Sequence, residues 1–266
     1  MPLSVCSACR LPCRSVITNL PCEECLASLL AAPSICAVCL GMACDPGRCT
    51  RPWLKIDGDA GSLRFDSVAA AYLSIGPGAR VLKSWKTSPS PSLTRFLLGG
   101  IRSYLGDFDS RRPLLVIPVP QSAPRRWELA GGSVMRLCTM IREARAHPSD
   151  RTLDLLEVGD RATSSDPGPA QNQARARGDD RYSRHAAIRA RGLTTLEEAR
   201  LTPEDLDGNP QLVLVDDFLT SGSTLRAAAG KVREKLGELG WFGGRNARLA
   251  IFVLGFRPAL FAENRN

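Results

Sequence analysis

A chain of 266 residues, 44% of them hydrophobic, is long enough to bury a full core and suits one large domain or two small ones. It has no run of 18 apolar residues, and its start, Met-Pro-Leu-Ser-Val-Cys, lacks the charged beginning and apolar stretch of a secretory leader. The sequence therefore argues against membrane insertion and sets a cytoplasmic expectation. The formal charge of +8 comes largely from arginines in the middle of the chain. A polyanionic partner or a phosphorylated substrate suits that excess, although arginine-favouring genomic base composition produces the same balance.

The first feature along the chain is cysteine. Nine of the ten cysteines precede residue 50, eight of them as pairs: Cys6 and Cys9, Cys22 and Cys25, Cys36 and Cys39, Cys44 and Cys49. Two residues between cysteines let both thiolates face one tetrahedral ion from a tight turn, and four thiolates close a structural zinc site with no place for water. The pattern predicts one or two zinc ions. The last pair, with a wider spacer holding Pro46 and Gly47, is the looser match. Sequential and interleaved pairing both remain open. A disulfide framework uses cysteine as densely, but in secreted domains, and reducing compartments favour metal. Cys13 is left over as an alternative ligand or a small core residue. Arg10, Arg14, Arg48 and Arg51 against Glu23, Glu24 and Asp45 do not make the dense basic face of a ribbon that grips phosphates alone.

A composition shift after Pro52 predicts a boundary near residue 55, dividing a zinc-ribbon-like module (1–55) from a larger domain (56–266). Ser67 to Leu73 reads as a strand, Arg80 to Trp85 and Ser92 to Tyr104 as helices parted by Ser88-Pro89-Ser90-Pro91, and Leu114 to Val119 as a buried strand. Val134 to Arg145 reads as helix, with Cys138 a packing residue inside it. Leu153 to Val158 is strand-like, Thr163 to Arg177 reads as a loop rich in Ser, Pro, Gly, Gln and Arg, and Leu249 to Leu254 closes the series as a strand. Alternating strands and helices predict an α/β fold, a mostly parallel sheet with helices on both faces.

Leu212 to Thr224, Leu-Val-Leu-Val-Asp-Asp-Phe-Leu-Thr-Ser-Gly-Ser-Thr, carries the chemistry. Leu212 to Val215 has the length and β-branching of a strand covered on both faces, and Asp216 and Asp217 emerge where it is expected to end. In open α/β sheets ligands bind at such carboxyl ends. Thr220 to Thr224 turns the chain into a helix over Leu225 to Leu236, whose first amides suit a phosphate. Paired carboxylates accept from vicinal hydroxyls, while hydroxyl side chains and amides donate to phosphate. A buried strand with an acidic edge and a capped helix would account for any three of these residues, but not for all of them in this order.

The segment resembles the phosphoribosyl pyrophosphate (PRPP) signature of type I phosphoribosyltransferases, with only Ser221 departing from Thr-Thr-Gly-x-Thr. Joined to a cysteine-rich start, it resembles the ComF family of bacterial competence-associated phosphoribosyltransferase-like proteins, over nearly the whole chain. The resemblance implies the type I phosphoribosyltransferase-like sheet. It also implies that Asp216 and Asp217 hold the ribose 2′ and 3′ hydroxyls and that Thr220, Ser221, Gly222, Ser223 and Thr224 wrap the 5′-phosphate. Trp85-Lys86 looks like the family's lysine-bearing segment after the first helix, and Pro118-Val119-Pro120 followed by Arg125 like its Pro-Val-Pro loop. Gln173 and Arg181 match its glutamine and arginine before the last strand. By analogy Lys86, Arg125 and Arg181 meet the pyrophosphate; taken singly, each also reads as a solvated surface cation.

One stretch departs. Where the family continues Arg-Gly-Phe-Asn-Gln, this chain has Leu129-Ala130-Gly131-Gly132-Ser133. Either the acceptor side has diverged, or transfer is lost while sugar-phosphate binding remains. Thr220 and Ser221 also stand where purine-salvage enzymes place an acid, which disfavours purine-base salvage. The transferase reading has Asp216 and Asp217 fix the ribose near the developing positive charge of C1 while magnesium pyrophosphate leaves. His147 and His185 sit in polar, arginine-rich surroundings and read as surface residues. A second reading is a non-catalytic nucleic-acid handling protein, partnered with single-stranded DNA or competence and DNA-processing proteins. It rests on the six arginines from Gln171 to Arg191, among which only Tyr182 offers a ring for stacking. A third is a regulator that senses PRPP and signals through the zinc module.

Overall fold

The computed structural model of the chain describes residues 4–6, 8–9, 11–13, 21–36, 42, 67–121, 132–158, 193–195, 203–207, 209–220, 222–241 and 249–258. The boundary near residue 55 and the loop at 163–177 lie outside them. In chain order the elements are β1 (Ser4–Val5), β2 (Pro12–Cys13), α1 (Glu23–Ala27), β3 (Ser67–Leu73), α2 (Gly76–Thr87), α3 (Pro91–Leu105), β4 (Leu114–Pro118) and α4 (Gly132–Arg145). There follow β5 (Arg151–Thr152), β6 (Leu156–Val158), β7 (Leu193–Thr195), a 3₁₀ turn (Pro203–Leu206), β8 (Gln211–Leu219), α5 (Ser223–Glu238) and β9 (Leu249–Phe256). No helix among the described residues is long and apolar enough to cross a membrane.

Five strands form one parallel sheet in the order β3, β9, β8, β4, β5. The apolar runs expected at the centre lie there because both faces are covered. On β4, Leu114 and Val116 face α2, α3 and α4, while Leu115 and Ile117 face α5. On β8, Val213 and Val215 take the first side and Leu212 and Leu214 the second. α5 carries Leu225, Ala228, Ala229, Val232 and Leu236, a stripe at helical spacing that is buried along its length. Each fully buried side chain of Leu, Ile or Val size contributes about 1.5–3 kcal/mol, so these two layers supply most of the driving force.

Two expectations are corrected. β8 does not end before the acids: it runs on through Asp216 and Asp217 to Leu219, held by parallel pairing to β9 as far as Phe256. Leu153 to Val158 is not one strand of the main sheet. β5 is a two-residue edge beside β4, and β6 leaves to pair antiparallel with β7, a strand without a strong apolar signature of its own. The helices begin one to four residues earlier than the apolar periodicity indicated, because Gly76-Pro77 and Ser90-Pro91 start α2 and α3 at proline-compatible positions; the Ser90 hydroxyl accepts from the Leu93 amide at 3.1 Å.

The N-terminal segment closes one edge of the sheet. Leu73 N–H donates to the Leu30 carbonyl at 2.8 Å and Ala32 N–H to that of Ala71 at 3.2 Å, so residues 30–32 lie antiparallel along β3. An open parallel edge is thereby paired. Cys6, Ala8 and Cys25 join the apolar layer formed by α2 and α3, which makes the cysteine module part of that packed side.

Candidate functional site

From β4 the chain passes through α4 to β5 on one side and later returns through β8 on the other, so the strand order reverses between β4 and β8. In open α/β sheets the carboxyl ends of the strands at such a switch point are where ligands bind. Pro118 is in register with Val215, and Val119 N–H donates to the Val215 carbonyl at 2.8 Å. Asp216 and Asp217 therefore stand one and two residues beyond the last β4 pairing, at the carboxyl end of the two strands.

Asp217 is almost fully buried, at 5% exposure, and Oδ2 receives three donors. Lys86 Nζ forms an ion pair with it, Ser133 Oγ donates at 2.6 Å, and Gln121 Nε2 donates at 2.9 Å. Gln121 Nε2 also donates to Ser133 Oγ at 2.9 Å, so these two side chains brace each other. Four parts of the fold meet here: the last turn of α2, the exit of β4, the first turn of α4 and β8. Gly132 permits it. Its φ of +73° is open to glycine, and a Cβ there would lie 2.4 Å from Gln121 Oε1.

Lys86 lies within the last turn of α2 and not after it, a correction to the segment's expected place. The turn is fixed by Trp85, fully buried, whose Nε1–H donates to Thr94 Oγ1 at 3.1 Å. Arg136 stacks over the Trp85 ring at 5.4 Å and donates to the Trp85 carbonyl at 3.4 Å. Lys86 Nζ also sits 5.3 Å from the centre of the Phe218 ring, a second attraction for the same cation.

Asp216 has a different environment. Half-buried, it accepts the Asp217 amide at 2.8 Å through Oδ1. Burial, then the neighbouring Asp217 carboxylate, push its pKa up to about 8. The pair thus splits into one carboxylate tied to a cation and one carboxyl that carries a proton at neutrality, able to donate to or accept from a hydroxyl.

Beyond Leu219, Thr220 is exposed and Gly222 takes a left-handed conformation, φ +72°, as the N-cap of α5. Arg226 N–H makes the first helical return, to Gly222 at 2.9 Å. The amides of the first turn before it have no partner in the helix ladder. Thr224 is half-buried in that turn, and Ser223 begins the helix.

Of the residues singled out from sequence, Asp216, Asp217 and Lys86 come together, and Thr220, Gly222, Ser223 and Thr224 follow at the β8–α5 joint. Ser221, Arg125, Gln173, Arg181 and the arginine-rich stretch at 171–191 lie outside the described residues, as does His185. His147 pairs with Asp150 at 3.5 Å; Asp150 accepts from the Leu114 amide, the amino end of β4, at the far end of the sheet from the acids. Gln121 and Ser133 were missed as site residues. The available signal was their position, directly after Pro118-Val119-Pro120 and at the head of the next helix.

A second cluster lies in the N-terminal segment. The sulfurs of Cys6, Cys9, Cys22 and Cys25 all lie within 4.8 Å of one another, with Cys6 and Cys25 at 3.9 Å and Cys9 and Cys22 at 3.9 Å. Four sulfurs about 2.3 Å from a tetrahedral zinc are about 3.8 Å apart, so the spacing fits a structural metal. The first and second pairs share this site. Burial raises the Cys6 thiol, but amides of Cys9, Cys22 and Ala8 donate to its sulfur and bring it down to about 6, while burial and the neighbouring sulfurs push the Cys25 thiol up. Cys36 is buried, and Cys39, Cys44 and Cys49 lie outside the described residues. Cys138 is fully buried in α4, as a packing residue should be.

No protein-family model matches the chain, and comparison with curated proteins and with solved structures returns no match.

Proposed function

We propose that the chain binds PRPP at the carboxyl ends of β4 and β8 and acts as a phosphoribosyltransferase of the ComF kind. The observation that carries this reading is the paired acids at the switch point, one bound to Lys86, followed directly by a glycine-capped helix start. A phosphorylated pentose has complementary parts in the same order: vicinal hydroxyls, then a phosphate. Asp216 and Asp217 accept the ribose hydroxyls, the first-turn amides of α5 with Thr220 and Thr224 hold the 5′-phosphate, and Lys86 neutralises pyrophosphate. Magnesium would enter with the pyrophosphate, supplying charge to the leaving group while asking few ligands of the protein. One of the two amide side chains missing from the stretch at 129–133 has a counterpart in Gln121, which lies against Asp217 over Gly132 and Ser133.

Catalysis in this arrangement is electrostatic and positional. Asp217 supplies negative charge beside the carbon that gains positive charge, Asp216 orients the sugar by hydrogen bonding, and the anchored phosphate fixes its distance from the leaving group. Cys6, Cys9, Cys22 and Cys25 hold one structural zinc in this reading, and Cys36, Cys39, Cys44 and Cys49 a second.

The test is thermal unfolding with and without magnesium PRPP. A ligand at one hundred times its Kd stabilises the folded chain by about 2.7 kcal/mol, and that upward shift in Tm is expected for the wild type and not for the Asp216→Asn, Asp217→Asn double variant. A wild-type Tm indifferent to PRPP contradicts the proposal.

A further inference from the structure

The three donors on Asp217 all meet the same oxygen. Lys86 Nζ pairs with Oδ2, Ser133 Oγ donates to it at 2.6 Å and Gln121 Nε2 at 2.9 Å, whereas Oδ1 has no hydrogen bond or ion pair among the described residues. An aspartate left to itself does not choose between its oxygens, because the torsion that turns the carboxylate is broad and two-fold. Its surroundings choose. A carboxylate only accepts, so the Ser133 hydroxyl donates to Oδ2; with its one hydrogen spent, that hydroxyl accepts from Gln121 Nε2 at 2.9 Å. Gln121 therefore turns its nitrogen toward the acid, with one hydrogen for each partner. The ring of Gln121, Ser133 and Asp217 closes with every hydrogen assigned. Its two donors come from separate parts of the fold, Ser133 from the first turn of α4, where it is 1% exposed, and Gln121 from the exit of β4, where it lies against Gly132. Asp216 is held separately, through the Asp217 amide on its Oδ1 at 2.8 Å.

We infer that Ser133 and Gln121 are the positioning residues of the sugar site: by holding Asp217 through Oδ2 they present Oδ1 alone to the ligand, so that Asp217 reads one of the two ring hydroxyls and Asp216 the other. This rests on the phosphosugar reading above and adds which side chains set its stereochemical selectivity. Lys86 does not set the orientation by itself. Its ammonium is a point charge on a flexible stem, with 22% of the side chain exposed, and it attracts either oxygen equally, whereas a hydroxyl and an amide from two directions fix the plane of the carboxylate. A hydroxyl that meets a fixed acceptor is told apart from one on the opposite face of the ring. One that meets a freely turning carboxylate is not.

The experiment titrates ribose 5-phosphate, arabinose 5-phosphate and xylose 5-phosphate calorimetrically into the full chain; the second sugar inverts hydroxyl 2 of ribose and the third hydroxyl 3, with the phosphate kept. The wild type is expected to bind each epimer about 10–100-fold more weakly than ribose 5-phosphate, the factor for one hydrogen bond to a charged group. In Ser133→Ala one of those two ratios falls toward one, through weaker binding of ribose 5-phosphate, and the other stays. Gln121→Ala, at a less buried position, should lower the same single ratio, which keeps the test decisive if Ser133→Ala folds poorly. A purely structural role weakens all three sugar phosphates by a common factor and leaves both ratios where they were; that result overturns the inference and leaves the phosphosugar reading standing. Loss of both ratios together overturns it as well, because Asp217 then does not answer for a single hydroxyl. So does a wild type that binds the three sugar phosphates equally, or one that binds PRPP while ribose 5-phosphate stays silent. Silence of PRPP and all three sugar phosphates overturns both.

Discussion

Lys86 and Asp217 form an ion pair that ties the last turn of α2 to the carboxyl end of β8, in a pocket where Asp217 is nearly sealed from water. A carboxylate desolvated to that degree depends on its donors, because an ionised group without them carries most of its solvation cost unrepaid. Asp217→Asn keeps the shape and removes the charge. It should destabilise the chain by about 1.5–3 kcal/mol, the range for a hydrogen bond to a charged group, and abolish PRPP binding. Urea unfolding of the variant measures the first effect and calorimetry the second.

Asp216 predicts a pH dependence of opposite sense to that of most carboxylates. Its pKa is raised from 3.8 to about 8 on folding, so between those values the folded chain holds a proton that the unfolded chain has lost. Stability contributed by this group is therefore present below the ordinary aspartate range and falls as pH rises toward 8. Asp216→Asn removes the dependence. The stability difference, variant minus wild type, should increase from pH 4 to pH 8 in parallel unfolding curves; a flat difference would show that Asp216 titrates normally.

Gly132 is predicted to accept a side chain only at a cost in stability and in the position of Gln121. Its φ of +73° strains an L-residue by about 1–2 kcal/mol, and a Cβ would strike Gln121 Oε1 at 2.4 Å. Gly132→Ala should lower stability by at least that strain and weaken PRPP binding, since displaced Gln121 no longer braces Ser133 or Asp217. A double variant with Gln121→Ala relieves the clash but not the backbone strain, so it should recover only the part of the loss beyond that strain, and no binding.

The sulfur cluster predicts that a strong chelator removes one zinc from the Cys6, Cys9, Cys22 and Cys25 site and lowers Tm. Cys6 and Cys25 belong to the apolar layer that also contains Val81, Leu82 and Trp85, so loss of the metal loosens packing behind α2. Metal analysis of Cys9→Ser, a ligand on the half-buried side of the cluster, should show one equivalent less than the wild type.

What the sequence revealed followed the strength of the local signal. Leu212 to Val215, Leu114 to Val119 and Leu249 to Leu254 announced central strands because both faces are buried and apolar residues run without a break. The acids and the glycine of the following loop were legible as one segment for the same reason: strand, ligand groups and helix start are consecutive. Lys86 was legible as a candidate only through resemblance. Gln121 and Ser133 were hidden because their meaning depends on contact with Asp217 across 96 and 84 residues of chain, which no local pattern encodes. The short β5 and the β6–β7 pair were misread because two or three residues carry too little periodicity to separate an edge strand from a side hairpin. The extension of β8 through the acids was missed because polar residues normally end a buried strand, and here Lys86, Gln121 and Ser133 provide Asp217 with the donors that let it continue.

The most direct test of the central claim is calorimetric titration of magnesium PRPP into the zinc-loaded full chain, alongside the Asp216→Asn, Asp217→Asn double variant. The account predicts saturable one-to-one binding to the wild type and none to the variant. Absence of heat with the wild type, together with no competition by ribose 5-phosphate, would contradict the assignment of the carboxyl ends of β4 and β8 as a phosphosugar site.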